Sequence, residues 1–176
     1  MTDSPDAGMP ATIGIRPLEM QDWPAVWTFM EPVIRAGDTY PYARDTGEAG
    51  ARHLWLDVTD AAYVAEDESG EILGTYYLKP NQPTLGAHVA NAGYMVSAAA
   101  RGRGVATAMC EHSQHEAVRR GYRAMQYNLV VSTNAPSVHL WKKMGFEVVG
   151  TLRDAFQHPS QGYVDAYVMY KLLVAK

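Results

Sequence analysis

Residues 94–107, Y-M-V-S-A-A-A-R-G-R-G-V-A-T, place two glycines and two arginines between a predicted strand and a predicted helix. The first N–H groups of a helix have no acceptor within the helix, and they lie at the positive end of its dipole. Glycines let an anion approach those groups without a side chain in the way, and arginines add charge-assisted donors. The segment from Arg101 to Ala106 therefore predicts a site for phosphate oxygens.

Two common phosphate motifs do not describe this segment. The P-loop, G-x-x-x-x-G-K-[ST], requires a lysine after its last glycine, and none follows here. The dinucleotide fingerprint G-x-G-x-x-G/A would need glycine or alanine at Thr107. That fingerprint also opens a strand–helix–strand unit, whereas this segment follows several predicted elements. Neither a P-loop nor a dinucleotide site is predicted.

A second pattern lies at residues 134–146, N-A-P-S-V-H-L-W-K-K-M-G-F, with a candidate helix N-cap at its start and a glycine stop at its end. The two patterns together resemble the GNAT superfamily of N-acetyltransferases. Arg101, Gly104 and Ala106 match its motif [QR]-x-x-G-x-[GA]. The second pattern matches N-x-x-[AS]-x-x-[LF]-Y-x-x-x-G-F, except that Trp141 stands at the tyrosine position. The resemblance covers most of the chain from residue 13 onward.

The resemblance implies acetyl-CoA as the cofactor and direct transfer of its acetyl group to an amine. It implies that backbone amides of residues 102–107 hold the pyrophosphate, that residues 94–96 pair with the pantetheine arm, and that the Val96 amide polarises the thioester carbonyl. No metal is expected. The residues implied to contact the cofactor are Tyr94, Met95, Val96, Arg101, Gly102, Arg103, Gly104, Val105, Ala106, Thr107, Asn134, Ser137 and Trp141.

The implied reaction needs proximity, a donor for the developing oxyanion and removal of a proton from the amine. Many family members use a tyrosine phenol at the position of Trp141 as general acid, and an indole N–H cannot take that role at neutral pH. A thiol pKa of about 8.5 makes the thiolate a fair leaving group, so solvent or a nearby hydroxyl can be sufficient. The candidate bases are His88, since histidine is a common general base in enzymes, and Glu31. For each, a side chain without a catalytic role is the alternative.

The expected acceptor is a primary amine of a small molecule, either an amino acid or an amino-acid-like compound. The loop after the first predicted helix offers Asp38, Tyr40 and Tyr42, and the last predicted hairpin offers Tyr163. The sequence G-D-T-Y at residues 37–40 weakly resembles the phosphinothricin and amino-acid acetyltransferase branch. Two alternatives stay open. One is a catalytically silent acyl-CoA-binding regulator, which Trp141 favours, and the other is an acetyltransferase for protein or peptide amines.

Strands and helices must hold these motifs in place, and the hydrophobic pattern predicts where these elements lie. Strands are expected at residues 12–16, 62–66, 72–79, 88–96, 123–131, 146–152 and 163–172, and helices at residues 23–35, 48–56, 104–120 and 134–144. Asp22 is the expected cap of the first helix, and Pro32 is expected to kink it or end it early. The helical crossover between residues 88 and 131 requires a parallel strand pair, whereas hairpin signals make the earlier strands antiparallel. The predicted fold class is α/β, with a mixed, mostly antiparallel central sheet and flanking helices.

The bulk composition sets the remaining expectations. The chain has 176 residues, 47% of them hydrophobic and 19% charged, which fits one folded domain. We expect a single N-acetyltransferase domain at residues 12–176 after a disordered tail at residues 1–11. Cys110 is the single cysteine, which excludes an intrachain disulfide. The net charge of −4 argues against nucleic-acid binding, including an RNA module built on residues 101–104.

The sequence also bears on location and assembly. No apolar run approaches the ~20 residues that span a membrane, so no membrane association is expected. The first residues lack the basic and apolar regions of a signal peptide, which favours the cytoplasm. A homodimer is possible by analogy with the family.

Overall fold

The computed structural model describes residues 12–174, so the predicted tail at residues 1–11 lies outside the described residues. The described chain forms seven strands and four α-helices. Their bounds are β1 Gly14–Pro17, α1 Trp23–Ala36, α2 Glu48–Arg52, β2 Ala61–Glu66, β3 Ile72–Pro80, β4 Val89–Val96, α3 Val105–Arg119, β5 Ala124–Val131, α4 Ala135–Lys143, β6 Glu147–His158 and β7 Gly162–Leu172.

All seven strands form one sheet in the order β1-β2-β3-β4-β5-β7-β6. Every neighbouring pair is antiparallel except β4 and β5, which are parallel because α3 connects them. The predicted fold class, a mixed and mostly antiparallel sheet with flanking helices, is confirmed. No helix in the described part of the chain is long and apolar enough to cross a membrane.

Helix α1 continues through Pro32 to Ala36, so the predicted early end is wrong. Its apolar face keeps Val26, Met30 and Ile34 fully buried. Burial of three such side chains is worth about 1.5–3 kcal/mol each, which exceeds the cost of about 3 kcal/mol for one internal proline. Pro32 itself lies on the exposed face of the helix.

The side chain of Asp22 does not cap α1, contrary to the prediction. Its carboxylate accepts two hydrogen bonds from the guanidinium of Arg16, at 2.7 and 2.9 Å, and a third from the backbone N–H of Glu19 at 2.8 Å. The hydrogen bonds from Arg16 are the main cause that lowers the pKa of Asp22. Asp22 therefore ties the first strand to the start of α1 rather than closing the helix end.

Two hydrophobic cores lie on opposite faces of the sheet. Helices α1 and α2 pack over the face that carries Val64, Tyr77 and Met95. Helix α3, with Trp141 of α4, packs over the other face. Successive residues of a strand point to opposite faces, so the neighbouring side chains of Tyr76 and Tyr77 belong to different cores.

A row of four tyrosines crosses the sheet beneath α3 on strands β2 to β5. Tyr63, Tyr76, Tyr94 and Tyr127 follow one another with ring centroids 4.8, 5.7 and 5.9 Å apart. We call them the tyrosine row. Their hydroxyls reach α3: Tyr76 bonds His112 Nδ1 at 2.6 Å, Tyr94 bonds Ser113 Oγ at 2.7 Å, and Tyr63 bonds Glu116. The row fixes where α3 lies on the sheet, because each buried hydroxyl must keep its partner.

Glu116 is the charged residue at the end of this row. Its side chain is buried and accepts hydrogen bonds from Arg119 and Arg120 at 2.6–2.7 Å as well as from Tyr63. The bonds from Arg119 are the largest cause that lowers the pKa of Glu116 to about 2. The ionised form therefore stabilises the folded protein.

We expect Glu116→Gln to lower the free energy of unfolding by about 1–3 kcal/mol at pH 7, because charge-assisted bonds are lost. The folded pKa of Glu116 is about 2, below the ordinary 4.5. Its stabilisation is therefore complete above pH 4.5 and falls away as the pH drops towards 2. Urea unfolding at a series of pH values measures both effects. Glu111→Gln, on the exposed side of the same helix, is the control. A difference between wild type and Glu116→Gln that stays constant down to pH 3 would contradict the assignment.

Candidate functional site

Strands β4 and β5 separate soon after they begin. They pair at only two positions, Val89 with Ala124 and Ala90 with Met125, and then diverge towards their carboxyl ends. Their other neighbours, β3 and β7, stay paired along most of their lengths. The gap between β4 and β5, which we call the wedge, opens into a cavity of about 980 Å³. Because the wedge passes through the sheet, this cavity reaches both faces.

The register of β4 decides which of its backbone groups face the wedge. Bonds from Asn81 N to Val89 O and from Ser97 N to Leu73 O, each 2.8 Å, flank the β3–β4 ladder. The register between them has no bulge, and antiparallel strands exchange bonds at every second residue. Odd-numbered residues therefore bond β3, and Tyr94 and Val96 direct their N–H and C=O groups towards the wedge. Met95 bonds β3, and its side chain packs in the core under α1.

The glycine turn (residues 101–104) lies at the open end of the wedge. Gly102 and Gly104 have φ of +78° and +83°, a region that disfavours any side chain. A Cβ built on either glycine meets no atom within 4 Å, so open space lies in front of the turn. The first hydrogen bond of α3 runs from Ala108 N to Gly104 O. The N–H groups of Val105, Ala106 and Thr107 therefore have no acceptor within the helix.

The two arginines of the turn have different surroundings. Arg101 lines the cavity. Arg103 does not line it, and its guanidinium bonds Asp67 in the β2–β3 hairpin at 3.2 Å. Asp67 also accepts bonds from Ser69, which are the largest cause that lowers its pKa to about 2. Of the two charged donors expected from the sequence, Arg101 borders the cavity, and Arg103 ties the glycine turn to the hairpin.

Helix α4 forms the wall next to the glycine turn. Asn134 Oδ1 accepts a bond from Ser137 N at 3.3 Å, which confirms the predicted N-cap. Asn134, Ser137 and Trp141 all line the cavity. The indole ring of Trp141 lies 4.9 Å from the ring of Tyr94 and 5.1 Å from that of Tyr127. With the glycine turn and the start of α3, these residues form what we call the α3 half of the cavity.

The loop after α1 covers the opposite end of the cavity, which we call the α1 half. Asp38, Tyr40 and Tyr42 all line it. The rings of Tyr40 and Tyr42 are stacked 5.3 Å apart, and the Tyr40 hydroxyl donates to Tyr94 O at 2.8 Å. Burial raises the pKa of both phenols. Three of the four acceptor residues expected from the sequence are therefore brought together, next to the wedge.

Three other predicted site residues lie outside the cavity. His88 is exposed just before β4, and its carbonyl accepts a bond from Arg123 N at 2.8 Å. Glu31 on α1 pairs with Arg35 at 3.1 Å. Tyr163 is 67% exposed near the start of β7. None of the three lines the space between β4 and β5.

Four polar residues at the narrow end of the wedge are not among those predicted from the sequence. Tyr77, Lys79, Asn91 and Asn128 line the cavity there. Asn91 Nδ2 donates to Gln126 O of β5 at 2.9 Å, so it bridges the strands where they begin to separate. A signal for it existed, because Asn91 is the polar residue within the apolar run V-A-N-A-G. Lys79 and Asn128 had no such signal.

The ring of Tyr77 packs closely against Gly93 in the α1 half. A Cβ built on Gly93 would come within 2.5 Å of the Tyr77 ring, closer than packed atoms tolerate. The ring also contacts Trp55 edge-on, with centroids 4.8 Å apart, and its hydroxyl donates to Asn91 Oδ1 at 3.4 Å. Position 93 therefore requires glycine if Tyr77 is to keep its place and this end of the cavity its shape.

We expect Gly93→Ala to displace the Tyr77 ring into the cavity and to cost about 1–3 kcal/mol of stability, as overpacking does. Urea unfolding measures the stability, and a crystal structure of the variant shows the ring position. Gly150→Ala on β6 is the control, since its Cβ would meet nothing closer than 3.9 Å. Equal stabilities of the two variants, with Tyr77 unmoved, would contradict the prediction.

Comparison with known proteins gives the same architecture. A solved GCN5-related N-acetyltransferase from Kribbella flavida is 44% identical, with a TM-score of 0.86 over 91% of this chain and 97% of that chain. N-acetyltransferase aca1 of Schizosaccharomyces pombe is 34% identical over 62% of this chain. L-amino acid N-acetyltransferase AaaT of Escherichia coli is 32% identical over 58% of this chain. The chain spans 53% of aca1 and 63% of AaaT.

The family profile described as Acetyltransferase (GNAT) family matches residues 16–146. That range includes the wedge, the glycine turn and the Asn134 cap. The resemblance found in the two sequence motifs is therefore confirmed. The chain belongs to the GNAT acetyltransferase family.

Proposed function

We propose that this protein transfers the acetyl group of acetyl-CoA to the primary amine of a small acceptor, an amino acid or an amino-acid-like compound. The observation that carries the proposal is one continuous cavity, which joins the glycine turn to the α1 half through the wedge. A cofactor in one half and an amine in the other would meet between β4 and β5. The family supports the reaction, and the name of AaaT supports the acceptor class.

The residues of the α3 half fit the cofactor. Open space before Gly102 and Gly104, the unpaired amides of Val105 to Thr107 and the guanidinium of Arg101 suit a pyrophosphate. The wedge-facing backbone of Tyr94 and Val96 suits the pantetheine arm. When bound, acetyl-CoA supplies a thioester whose carbonyl carbon takes the amine nitrogen while its sulfur leaves as a thiolate.

The wedge-facing N–H of Val96 is the candidate donor to the thioester carbonyl oxygen. A backbone N–H held by a strand needs no reorganisation, which is the condition for effective charge stabilisation. Trp141 lines the same cavity, and its indole supplies no acid. The hydroxyls of Tyr94 and Tyr127 are bonded to each other at 2.9 Å, and burial raises the pKa of both phenols. These phenols hold α3 in place rather than exchange protons.

Asp38 is our candidate for the group that takes the proton of the amine. A base must lie within hydrogen-bond reach of that proton, and Asp38 is the one carboxylate that lines the cavity among residues 12–174. His88 and Glu31, the bases suggested by the sequence, lie elsewhere on the surface. The carboxylate also suits a protonated amine on its way into the site.

Two measurements on the purified protein test the function. Calorimetry with acetyl-CoA tests the cofactor, and thiol release in the presence of a panel of L-amino acids and simple amines tests the transfer. Binding with amine-dependent release supports the proposal. Binding without release for any amine would support a silent acyl-CoA-binding regulator instead. Release with peptides but not with free amino acids would support a protein acceptor. Absence of binding would contradict the cofactor assignment.

We expect Gly104→Ala to weaken acetyl-CoA binding at least about tenfold, because the new methyl group would stand before amides that contact a charged group. Calorimetry gives the dissociation constant. Gly121→Ala is a matched control: Gly121 has φ of +88°, also faces open space and does not line the cavity. Both variants should lose similar stability from backbone strain. Equal effects of the two on cofactor affinity would argue against the glycine turn as the pyrophosphate site.

We expect Asp38→Asn to lower kcat about 100-fold with acetyl-CoA affinity unchanged, because general base catalysis contributes about that much. Asp45→Asn, an exposed acid in the same loop, should behave as wild type. Steady-state thiol release and calorimetry separate the two effects. A kcat within threefold of wild type for Asp38→Asn would exclude Asp38 as the base.

A further inference from the structure

Lys79 brings a positive charge to the α1 half, away from the glycine turn. It lies near the end of β3, opposite Asn91 of β4, and its half-buried side chain lines the cavity. The Nζ atom lies 5.5 Å from the centroid of the Tyr77 ring. Tyr77 is itself held by Trp55 and Gly93, so the cation rests on a fixed surface.

No carboxylate within residues 12–174 neutralises this cation. Seven ion pairs at N–O distances up to 4.0 Å occur in that part of the chain, and none includes Lys79. A half-buried ammonium without a counter-charge attracts an anion that enters the cavity. Asp38 supplies the single negative charge of the α1 half. This half therefore offers one cation and one anion to whatever binds there.

We propose that Lys79 binds the α-carboxylate of the acceptor, so that the enzyme selects amines that carry a carboxylate beside the amino group. This inference rests on the proposed function and specifies its acceptor. A free amino acid has both charges, and the α1 half has a partner for each. Asn91 and Asn128, which line the same end, offer amide groups to the remaining carboxylate lone pairs.

The inference separates free amino acids from peptides. The N-terminal amine of a peptide or protein has a neutral amide where a free amino acid has its carboxylate. Such an acceptor would displace water from the ammonium of Lys79 and give it no partner in return. This loss of hydration makes the binding free energy less favourable. Protein and peptide amines should therefore be poor acceptors, as should simple alkylamines.

The experiment compares each L-amino acid that supports thiol release with its own carboxamide and with the dipeptide Ala-Ala. The carboxamide keeps the side chain and the amine but lacks the charge. We expect wild type to favour the acid about 10- to 100-fold in kcat/KM, the range for hydrogen bonds to charged groups. Lys79→Met should remove this preference through a higher KM for the acid. The carboxamide should react no more slowly than with wild type, because it no longer leaves a desolvated ammonium unpaired, and acetyl-CoA affinity should not change. Lys79→Arg should restore part of the preference.

Lys143→Met, an exposed lysine on α4 outside the cavity, is the matched control and should keep the preference. Equal kcat/KM values of the wild-type protein for acids and their carboxamides would overturn the inference. Equal losses for both substrates in Lys79→Met would also overturn it, because they would show that Lys79 only supports Tyr77. Failure of the proposed function looks different: no amine would support thiol release in any variant.

Discussion

The separation of β4 from β5 after two residue pairs is the constraint on which the rest of the site depends. A paired strand would use up the N–H and C=O groups of Tyr94 and Val96, and the sheet would have no passage between its faces. The structure supports the open edge from both ends. Asn91 bridges to Gln126 O where the gap begins, and the Tyr40 hydroxyl meets Tyr94 O farther along. Side-chain hydrogen bonds at both ends therefore stabilise the gap.

The tyrosine row fixes the position of α3 relative to the gap between β4 and β5. Because its hydroxyls bond residues of α3, the helix has one position over β2 to β5, and its first amides point at the open end of the wedge. The Arg103–Asp67 pair adds a second restraint on the turn that precedes the helix. The proposed pyrophosphate site would therefore need little ordering on binding.

The sequence predicted best what depends on neighbours along the chain. The glycine turn, the Asn134 cap and nearly all element positions follow from local pattern, and the fold class follows from their order. Glu31, His88 and Tyr163 were chosen for their chemistry, but strand order and register decide which side chains border the wedge. Lys79 was missed for the same reason, because only pairing with Asn91 brings it to the cavity. Pro32 does not end α1, because burial of the apolar face of the helix contributes more free energy than an internal proline costs.

The two cores on opposite faces of the sheet have a consequence for evolution. The residues that hold α3 belong to one face, whereas Tyr77, Lys79 and Asn91 lie on the other or at its edge. Substitutions at Tyr77, Lys79 or Asn91 change the α1 half without replacing a residue of the tyrosine row or the glycine turn. In the enzyme that we propose, a change of acceptor would need substitutions on one face only, while the helix and turn proposed to hold the cofactor stay as they are.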